Sequence, residues 1–370
     1  MPQGYCSDER IVMTLDAGAT NFVFSAIQAN RPIVPGFRLP SHADDVERSL
    51  GTLVEGFRRV QAQLPGPPVA ISFAFPGPAD YLQGVILRPP NLPAWRDVAL
   101  GPMLEDTFGL PTFINNDGDL FAYGEAAAGL LPYVNSALEQ AGSPKRFHNL
   151  LGVTLGTGFG AGIVRDGALY LGDNCASGEI WLMRNKLDPT RNVEEGSSIR
   201  AVRRVFAEKT GIPLPEVPEP RVLCEIADGL TPGNFAAARE AFRCLGEVAG
   251  DAIAIATTLL DALVVIGGGL AGAQRHFLPT LVSEMNGCFE APQGQRFPRL
   301  VPRAFNLEDA GEFDQFLQGR TRVLTPPGST RRVRFDALPR VGVGITRLGT
   351  SEATAIGAYA YALHRLARHA

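Results

Sequence analysis

Apolar and polar positions along this chain fall into two periods, one for strands and one for helices. Ile11-Val12-Met13-Thr14-Leu15 and Phe22-Val23-Phe24-Ser25-Ala26-Ile27 are short apolar runs rich in β-branched and aromatic residues, and they predict two strands. The small residues between them, Asp16-Ala17-Gly18-Ala19-Thr20-Asn21, make the pair a hairpin. Over residues 44–64 the apolar positions are Val46, Leu50, Leu53, Phe57 and Val60, the spacing of one helical face. Residues 69–75 form a continuous apolar run of strand length, stopped by Pro76-Gly77-Pro78. Residues 110–114 predict another strand, and residues 120–128 an Ala-rich helix. After a strand at 150–155, the dipeptide Asp166-Gly167 marks a hairpin turn between two more short strands. A helix is expected through Ile199, Val202, Val205 and Phe206. Residues 235–260 predict a long helix, with Phe235, Ala238, Phe242, Leu245, Ala249, Ala252, Ala256 and Leu259 on one face. It feeds a buried strand at 262–266, and the chain closes on an Ala-rich helix at 352–368. Residues 212–220 read as an exposed connection. Residues 293–342, rich in Arg, Pro and Gly, read as a solvated loop or a subunit contact, with a phosphate or nucleic-acid role for Arg320, Arg322, Arg331, Arg332 and Arg334 as the minority reading. Strands alternating with helices place the chain in the α/β class.

Composition narrows the possibilities. With 370 residues, 45% of them hydrophobic and 19% charged, the chain has the make-up of a globular enzyme long enough for two domains. A net charge of -4 offers nucleic acid no general attraction. The five cysteines, Cys6, Cys175, Cys224, Cys244 and Cys288, are scattered and form no Cys-x-x-Cys pair, so neither a structural zinc site nor a disulfide framework is expected. A reducing cytoplasm is the natural compartment. No stretch is a candidate membrane span, and residues 1–10 lack the apolar core of a secretion signal.

The candidate chemistry lies in small-residue turns and in one carboxylate. Asp117 follows Asn115-Asn116 at a strand-to-helix junction, where it is either a helix cap or a base for an attacking hydroxyl. The hairpin turn after Asp16 can offer backbone N–H groups to an anion. An acid beside such a turn makes sense when a hydrated Mg²⁺ sits between them; an ordinary hairpin with Asp in its turn is the plainer alternative. Gly156-Thr157-Gly158-Phe159-Gly160-Ala161 matches a dinucleotide-binding pattern in letters only. That pattern needs a helix to follow, and here a second hairpin is expected. The strand ending in Gly267-Gly268-Gly269 allows either close approach of a nucleotide or tight strand–helix packing. Asn91 and Trp95, in a proline-stiffened loop, either wall a polar pocket or pack the loop. A Walker sequence is absent.

Taken in order, these pieces resemble the ROK family of repressors and sugar kinases over nearly the whole chain. The resemblance rests on Asp16-Ala17-Gly18-Ala19-Thr20, Pro76-Gly77-Pro78, Asn91-Leu92-Pro93-Ala94-Trp95, Asn116-Asp117 and Gly156-Thr157-Gly158-Phe159-Gly160. It continues through Gly178-Glu179, Glu194 with Ser198, Ile266-Gly267-Gly268-Gly269, and the terminal Leu348-Gly349 and Ala355-Ile356-Gly357-Ala358. It implies the actin-like ATPase (ribonuclease H-like) fold: two α/β lobes, each with a five-stranded sheet, closing over a cleft. The N-terminal lobe would take residues 1–115 and the C-terminal helix 351–370, and the larger lobe residues 116–350. The chain departs from the zinc-bearing members in two places. Gly178-Glu179 is followed by Ile180-Trp181-Leu182 with no ligand His, and Asp188-Pro189-Thr190-Arg191-Asn192 stands where those members carry a cysteine-rich loop. No structural zinc is therefore expected, and Mg²⁺ is the metal implied.

The resemblance also implies a reaction and its residues. The activity would be phosphoryl transfer from Mg-ATP to the primary hydroxyl of a hexose, glucose first, as in a glucokinase. Asp117 would be the base. Asn91, Asn116, Glu179 and Glu194 would bind the sugar. Asp16 would orient Mg²⁺ through water. Gly18, Ala19, Thr20, Asn21, Gly156, Thr157 and Gly158 would hold the phosphates, and Gly267, Gly268 and Gly269 would border the adenosine. A cytoplasmic homodimer with no nucleic-acid or membrane partner is implied. The rival is a sugar-binding or sugar-sensing regulator of the same family; that reading needs a DNA-binding segment before the first turn, where ten residues precede Ile11.

Overall fold

In the computed structural model of the chain, which describes residues 5–18, 20–90 and 92–369, the elements gather into two compact units. The first comprises the described residues of Met1–Gly129, Gly162–Gly178 and Arg347–Ala370; the second comprises Leu130–Ala161 and Glu179–Thr346.

The first unit is built on a five-stranded sheet in the order Arg31–Pro40, Asn21–Gln28, Ile11–Ala17, Pro68–Ala74, Thr112–Asn115. The first three strands run antiparallel, and the last two join in parallel. The parallel register sets Asp16 opposite Ala74, and Ala74 opposite Asn115. The ends of three strands therefore share one sheet edge, the usual place for ligands in α/β proteins.

One face of this sheet is covered by the helix Val46–Gln61, started by Asp45, whose side chain accepts the N–H of Arg48. Its Leu53, Phe57 and Val60 are fully buried, as their spacing requires. The Phe57 ring meets that of Phe24 edge-on, with centroids 5.3 Å apart, a geometry in which the ring quadrupoles attract.

On the other face the helices Asp117–Ala127 and Thr350–His369 pack together. Every residue from Gly118 to Ala127 is buried. Two glycines make that packing possible. A Cβ at Gly124 would overlap the carbonyl oxygen of Ala353, and one at Gly357 would overlap the carbonyl oxygen of Leu120. The fully buried Glu125 accepts the backbone N–H groups of Arg347 and Leu348, at 3.3 and 3.2 Å, and so holds the entry to the C-terminal helix. Further along, Tyr359 accepts the N–H of Ala29, and its hydroxyl lies 3.1 and 3.2 Å from the carbonyls of Asp8 and Arg10.

The second unit carries Leu150–Leu155, Leu263–Gly267, Arg340–Ile345 and Arg303–Asn306 as neighbouring parallel strands, with the start of Phe159–Arg165 beside Leu150–Leu155. Ala168–Leu169, hairpinned to the end of Phe159–Arg165, brings the sheet to six strands where five were expected. The long helix is Phe235–Leu260, with the predicted bounds; Asn234 caps its start by accepting the N–H of Ala237. It packs along Gln274–Met285.

Residues 293–342 are not a solvated loop. They hold two sheet strands, Arg303–Asn306 and Arg340–Ile345, the helix Ala310–Gln318, and a hairpin of Thr321–Leu324 with Val333–Asp336. Arg340 is itself a core residue. It is 1% exposed, pairs with the buried Asp336, and lies over the Phe316 ring, 5.2 Å from its centroid. Among the described residues no helix is long and apolar enough to cross a membrane.

The glycine contact between the two buried helices predicts the effect of filling it. Gly357→Val places a branched side chain against backbone that has no room to yield. The variant should be destabilised by about 3 kcal/mol or more, whereas Gly51→Ala, exposed in the helix Val46–Gln61 with open space around it, should cost nothing. Urea unfolding followed by circular dichroism measures both.

Candidate active site

The first group of candidate residues sits on the shared sheet edge. Asp16 is the penultimate residue of Ile11–Ala17, and the turn that follows is closed by the N–H of Gly18 donating to the carbonyl of Asn21 at 3.0 Å. That N–H is therefore spent on the turn. Thr20 is exposed and its carbonyl accepts the N–H of Ser41; Asn21 opens the returning strand. Ala19 and Asn91 lie outside the described residues.

Asn116 and Asp117 divide the two roles that the sequence leaves open between them. Asn116 is the helix cap: its side-chain oxygen accepts the N–H of Gly118 at 2.8 Å. Asp117 begins the helix and is exposed, with one carboxylate oxygen 2.9 Å from the same N–H. The positive end of the helix dipole favours a negative charge there. The turn is kept compact from outside by Gly162, where a Cβ would collide with the backbone of Gly118 and Asp119.

Asp16 keeps an exposed surface, yet the protein packed around its carboxyl strips away part of its water. That desolvation, and after it the negative charge of Asp117, raise the pKa of Asp16 above the ordinary carboxylate value. An acid whose ionisation is opposed by burial and by a neighbouring carboxylate is a natural seat for a cation.

The second group is assembled in the other unit. Parallel pairing sets Gly267 opposite Thr154, so the turns that follow these two strands emerge side by side. The position of a Cβ on Gly156 is 3.8 Å from the backbone nitrogen of Gly269, and around Gly269 itself there is open space. Gly268 has φ +89°, and a Cβ there would overlap the backbone of Leu155; only glycine fits. The N–H of Gly156 closes its own turn on the carbonyl of Gly158 at 3.0 Å. The carbonyl of Gly156 accepts the N–H of Ile199 at 2.8 Å, so the helix Ile199–Thr210 starts against this turn. The buried hydroxyl of Ser198, which precedes that helix, has no hydrogen-bond partner. Bare backbone, a helix N-terminus and an unpartnered buried hydroxyl suit an oxyanion such as a phosphate.

Glu194 braces this turn. One oxygen accepts the N–H of Phe159 at 3.0 Å and lies 2.7 Å from where a Cβ on Gly158 would sit, so a side chain there would push this carboxylate aside. The other oxygen accepts from Arg200 at 3.0 Å, and Arg200 also pairs with Glu195. Glu179 is exposed and accepts the indole N–H of Trp181. The segment around Asp188-Pro189-Thr190-Arg191-Asn192 is held by its own polar groups. The side chain of Asn185 accepts the N–H groups of Leu187 and Asp188, and Asp188 pairs with Arg191 at 3.0 Å.

Two residues of these neighbourhoods were given no role from the sequence. Asn115 is fully buried beside the cap, and neither polar atom of its side chain has a partner. Its signal was a polar residue ending an otherwise apolar strand. Arg200 gave no signal, because an Arg in the first turn of a helix reads as a solvated charge. Trp95 takes the packing role: it is 1% exposed, with its ring 4.8 Å from that of Phe75.

Comparison with known proteins places this arrangement. The sequence profile of the ROK family matches residues 12–308. An N-acetyl-D-glucosamine kinase of Vibrio cholerae is 30% identical over 173 residues, 47% of this chain and 52% of that protein. The chain spans about half the length of the curated relatives it matches. Among solved structures, a glucokinase from Parabacteroides distasonis is 53% identical with a TM-score of 0.90, covering 97% of this chain and 99% of that one. A ROK family glucokinase from Streptomyces griseus, in complex with glucose and AMPPNP, shares the fold at 19% identity and a TM-score of 0.61, covering 96% and 99%. The fold is the actin-like ATPase fold of this group.

The carboxylate pair predicts a titration. In the metal-free protein Asp16 should hold its proton to a pH above the ~3.9 of a free aspartate. Because the folded state then binds the proton more tightly than the unfolded state, Asp16 adds stability at low pH and loses it as the pH rises through its folded pKa. Asp117→Asn removes the neighbouring charge but not the desolvation, so the midpoint should drop only part of the way. Carbon-detected NMR titration of the Asp16 carboxyl reads both values.

Proposed function

Because the chain belongs to the ROK family, we propose that it is a sugar kinase transferring a phosphoryl group from ATP to the primary hydroxyl of a hexose, with glucose as the leading substrate. The observation that carries the reading is the exposed carboxylate of Asp117, fixed at a helix start by a capping neighbour and flanked by a second acid at the same sheet edge. The likeness to a glucokinase over almost the full chain supports glucose; the likeness to an N-acetyl-D-glucosamine kinase keeps acetamido sugars in the test. The neighbour solved with glucose and AMPPNP supports ATP as the donor.

In this reading Asp117 accepts the proton of the sugar hydroxyl, a contribution of about 10²–10⁴-fold. Asn116 holds the helix start, and with it the carboxylate, in place. Its cap leaves the amide nitrogen for a sugar hydroxyl. Glu179, Glu194 and Asn91 orient the ring. Hydrogen bonds from such groups also set specificity, because a sugar lacking the matching hydroxyl leaves them unpaired. Mg-ATP, when bound, supplies the phosphoryl group and a divalent charge. Asp16 orients that cation through water. The turns at Gly18–Asn21 and Gly156–Gly158 hold oxyanions with N–H groups other than those of Gly18 and Gly156, and Gly267–Gly269 leave space for the nucleoside.

Release of ADP, coupled to a reporter and measured across glucose, mannose, fructose, allose and N-acetylhexosamines, tests the function. A kinase gives sugar-dependent ADP; a sensor or scaffold gives none with any of them. Asp117→Asn should lower kcat by about 10²–10⁴-fold while sugar affinity, measured by calorimetry, changes little. Turnover close to wild type would remove Asp117 from the role of base.

A further inference from the structure

We infer that Cys224, Asp228 and His276 form a binding site for a thiophilic divalent cation of the zinc type, apart from the glycine turns and on the helical side of the second unit. Cys224 lies on the helix Pro220–Ala227 and Asp228 caps its end, so the two side chains are four residues apart and share a helix face. His276 comes from the first turns of Gln274–Met285. One donor atom from each residue lies within 4.8 Å of the other two. The imidazole Nε2 of His276 is 2.9 Å from one oxygen of Asp228, and the Sγ of Cys224 is 3.9 Å from the other.

These separations fit a metal. Tetrahedral zinc, with bonds of about 2.0–2.3 Å, keeps its ligand atoms roughly 3.3–3.8 Å apart. The three donors would have to shift by on the order of 1 Å or less to close on an ion at those bond lengths. The His276 ring is already oriented. It stacks on Phe242 with centroids 5.7 Å apart and an interplanar angle of 25°, and its side chain is 8% exposed. Thiolate, carboxylate and neutral imidazole together carry two negative charges, matching a divalent ion, and a sulfur ligand selects zinc over magnesium or calcium.

A cation already occupies this position. The guanidinium of Arg275 donates to Asp228, at 2.8 Å for one oxygen, and to the Cys224 sulfur at 3.4 Å. Its side chain is half exposed and borders an open cavity of about 570 Å³ lined also by Asp228, His276 and Thr280. Arg275 can therefore swing into solvent, and the cavity leaves room for water as a fourth ligand. Binding exchanges one proton: the thiol loses it to solvent as the sulfur–metal bond forms. The bound ion would tie Pro220–Ala227 to the helix that follows the Gly267–Gly269 turn, stiffening the support of that turn.

Cobalt(II) is the probe, titrated into chelator-treated full-length protein. The wild type should take up one ion with a thiolate-to-cobalt charge-transfer band, and zinc should bleach that band. Cys224→Ser should abolish it. His276→Ala should weaken binding by about tenfold or more. Arg275→Ala, which removes the resident cation, should tighten it. Zinc should raise the melting temperature of the wild type and leave that of Cys224→Ser unchanged. No band in the folded wild type overturns the inference, whatever Arg275→Ala does; so does a band that survives Cys224→Ser.

Discussion

The structure depends on a helix that has no free side. From Gly118 to Ala127 every residue is buried, so propensity and amphipathicity do not decide where Asp117–Ala127 sits. Backbone contact decides it. Gly124 and Gly357 let the C-terminal helix approach within backbone distance, and Gly162 does the same for a strand at the helix start. Such close-packed contacts have no slack, because a protein interior is as dense as an organic crystal. Glu125 extends the restraint by accepting two N–H groups at the entry to the C-terminal helix. The first residue of the clamped helix is Asp117. If that carboxylate is the base, the stiffness has a purpose, since an error of about 1 Å in a reacting group can cost about 10²-fold in rate.

The other unit solves a different problem: how to hold bare backbone turns open. Parallel pairing of Leu150–Leu155 with Leu263–Gly267 delivers two glycine turns to one place, and the start of Ile199–Thr210 leans against the first of them. An acid among such N–H groups would compete with any anion bound there. Glu194 avoids part of that conflict by sharing its charge with Arg200 while its other oxygen holds the Phe159 N–H. The carboxylate shapes the turn, and the guanidinium offsets its charge. A Gln in its place would keep the hydrogen bond to Phe159 but leave Arg200 with only Glu195.

Legibility followed period and punctuation. The long helix was readable to its ends because apolar residues recur over seven turns, with Asn234 at its start and Asp261 in a left-handed conformation at its finish. The hairpin at Asp166-Gly167 was readable because both residues adopt the positive φ their types allow. Residues 293–342 misled because Arg and Gly were taken as marks of solvent. In Arg340–Ile345 the glycines alternate with buried valines, and the arginine at the start is a core residue paired with Asp336. The pair is only four residues apart, but what makes it a core pair is the Phe316 ring under the guanidinium, from a helix well upstream, so no local window contains the reason for its burial. The same holds for Asn115, whose burial comes from packing, and for Glu194, whose partner is 35 residues away.

Asp16 and Asp117 illustrate how two like residues can be fitted for unlike work. Asp117 has a backbone N–H within hydrogen-bond distance and a helix N-terminus at its back, both of which support a negative charge without neutralising it. Asp16 has partial desolvation and the charge of Asp117 against it, both of which oppose ionisation. A cation near Asp16 would reverse that opposition, and its charge would weaken the repulsion between the two acids. Asp16 is thus an acid whose ionisation gains from a divalent ion, and Asp117 is the one that faces a backbone N–H at a helix start. In a kinase that asymmetry would let the metal and the base occupy neighbouring positions without exchanging roles.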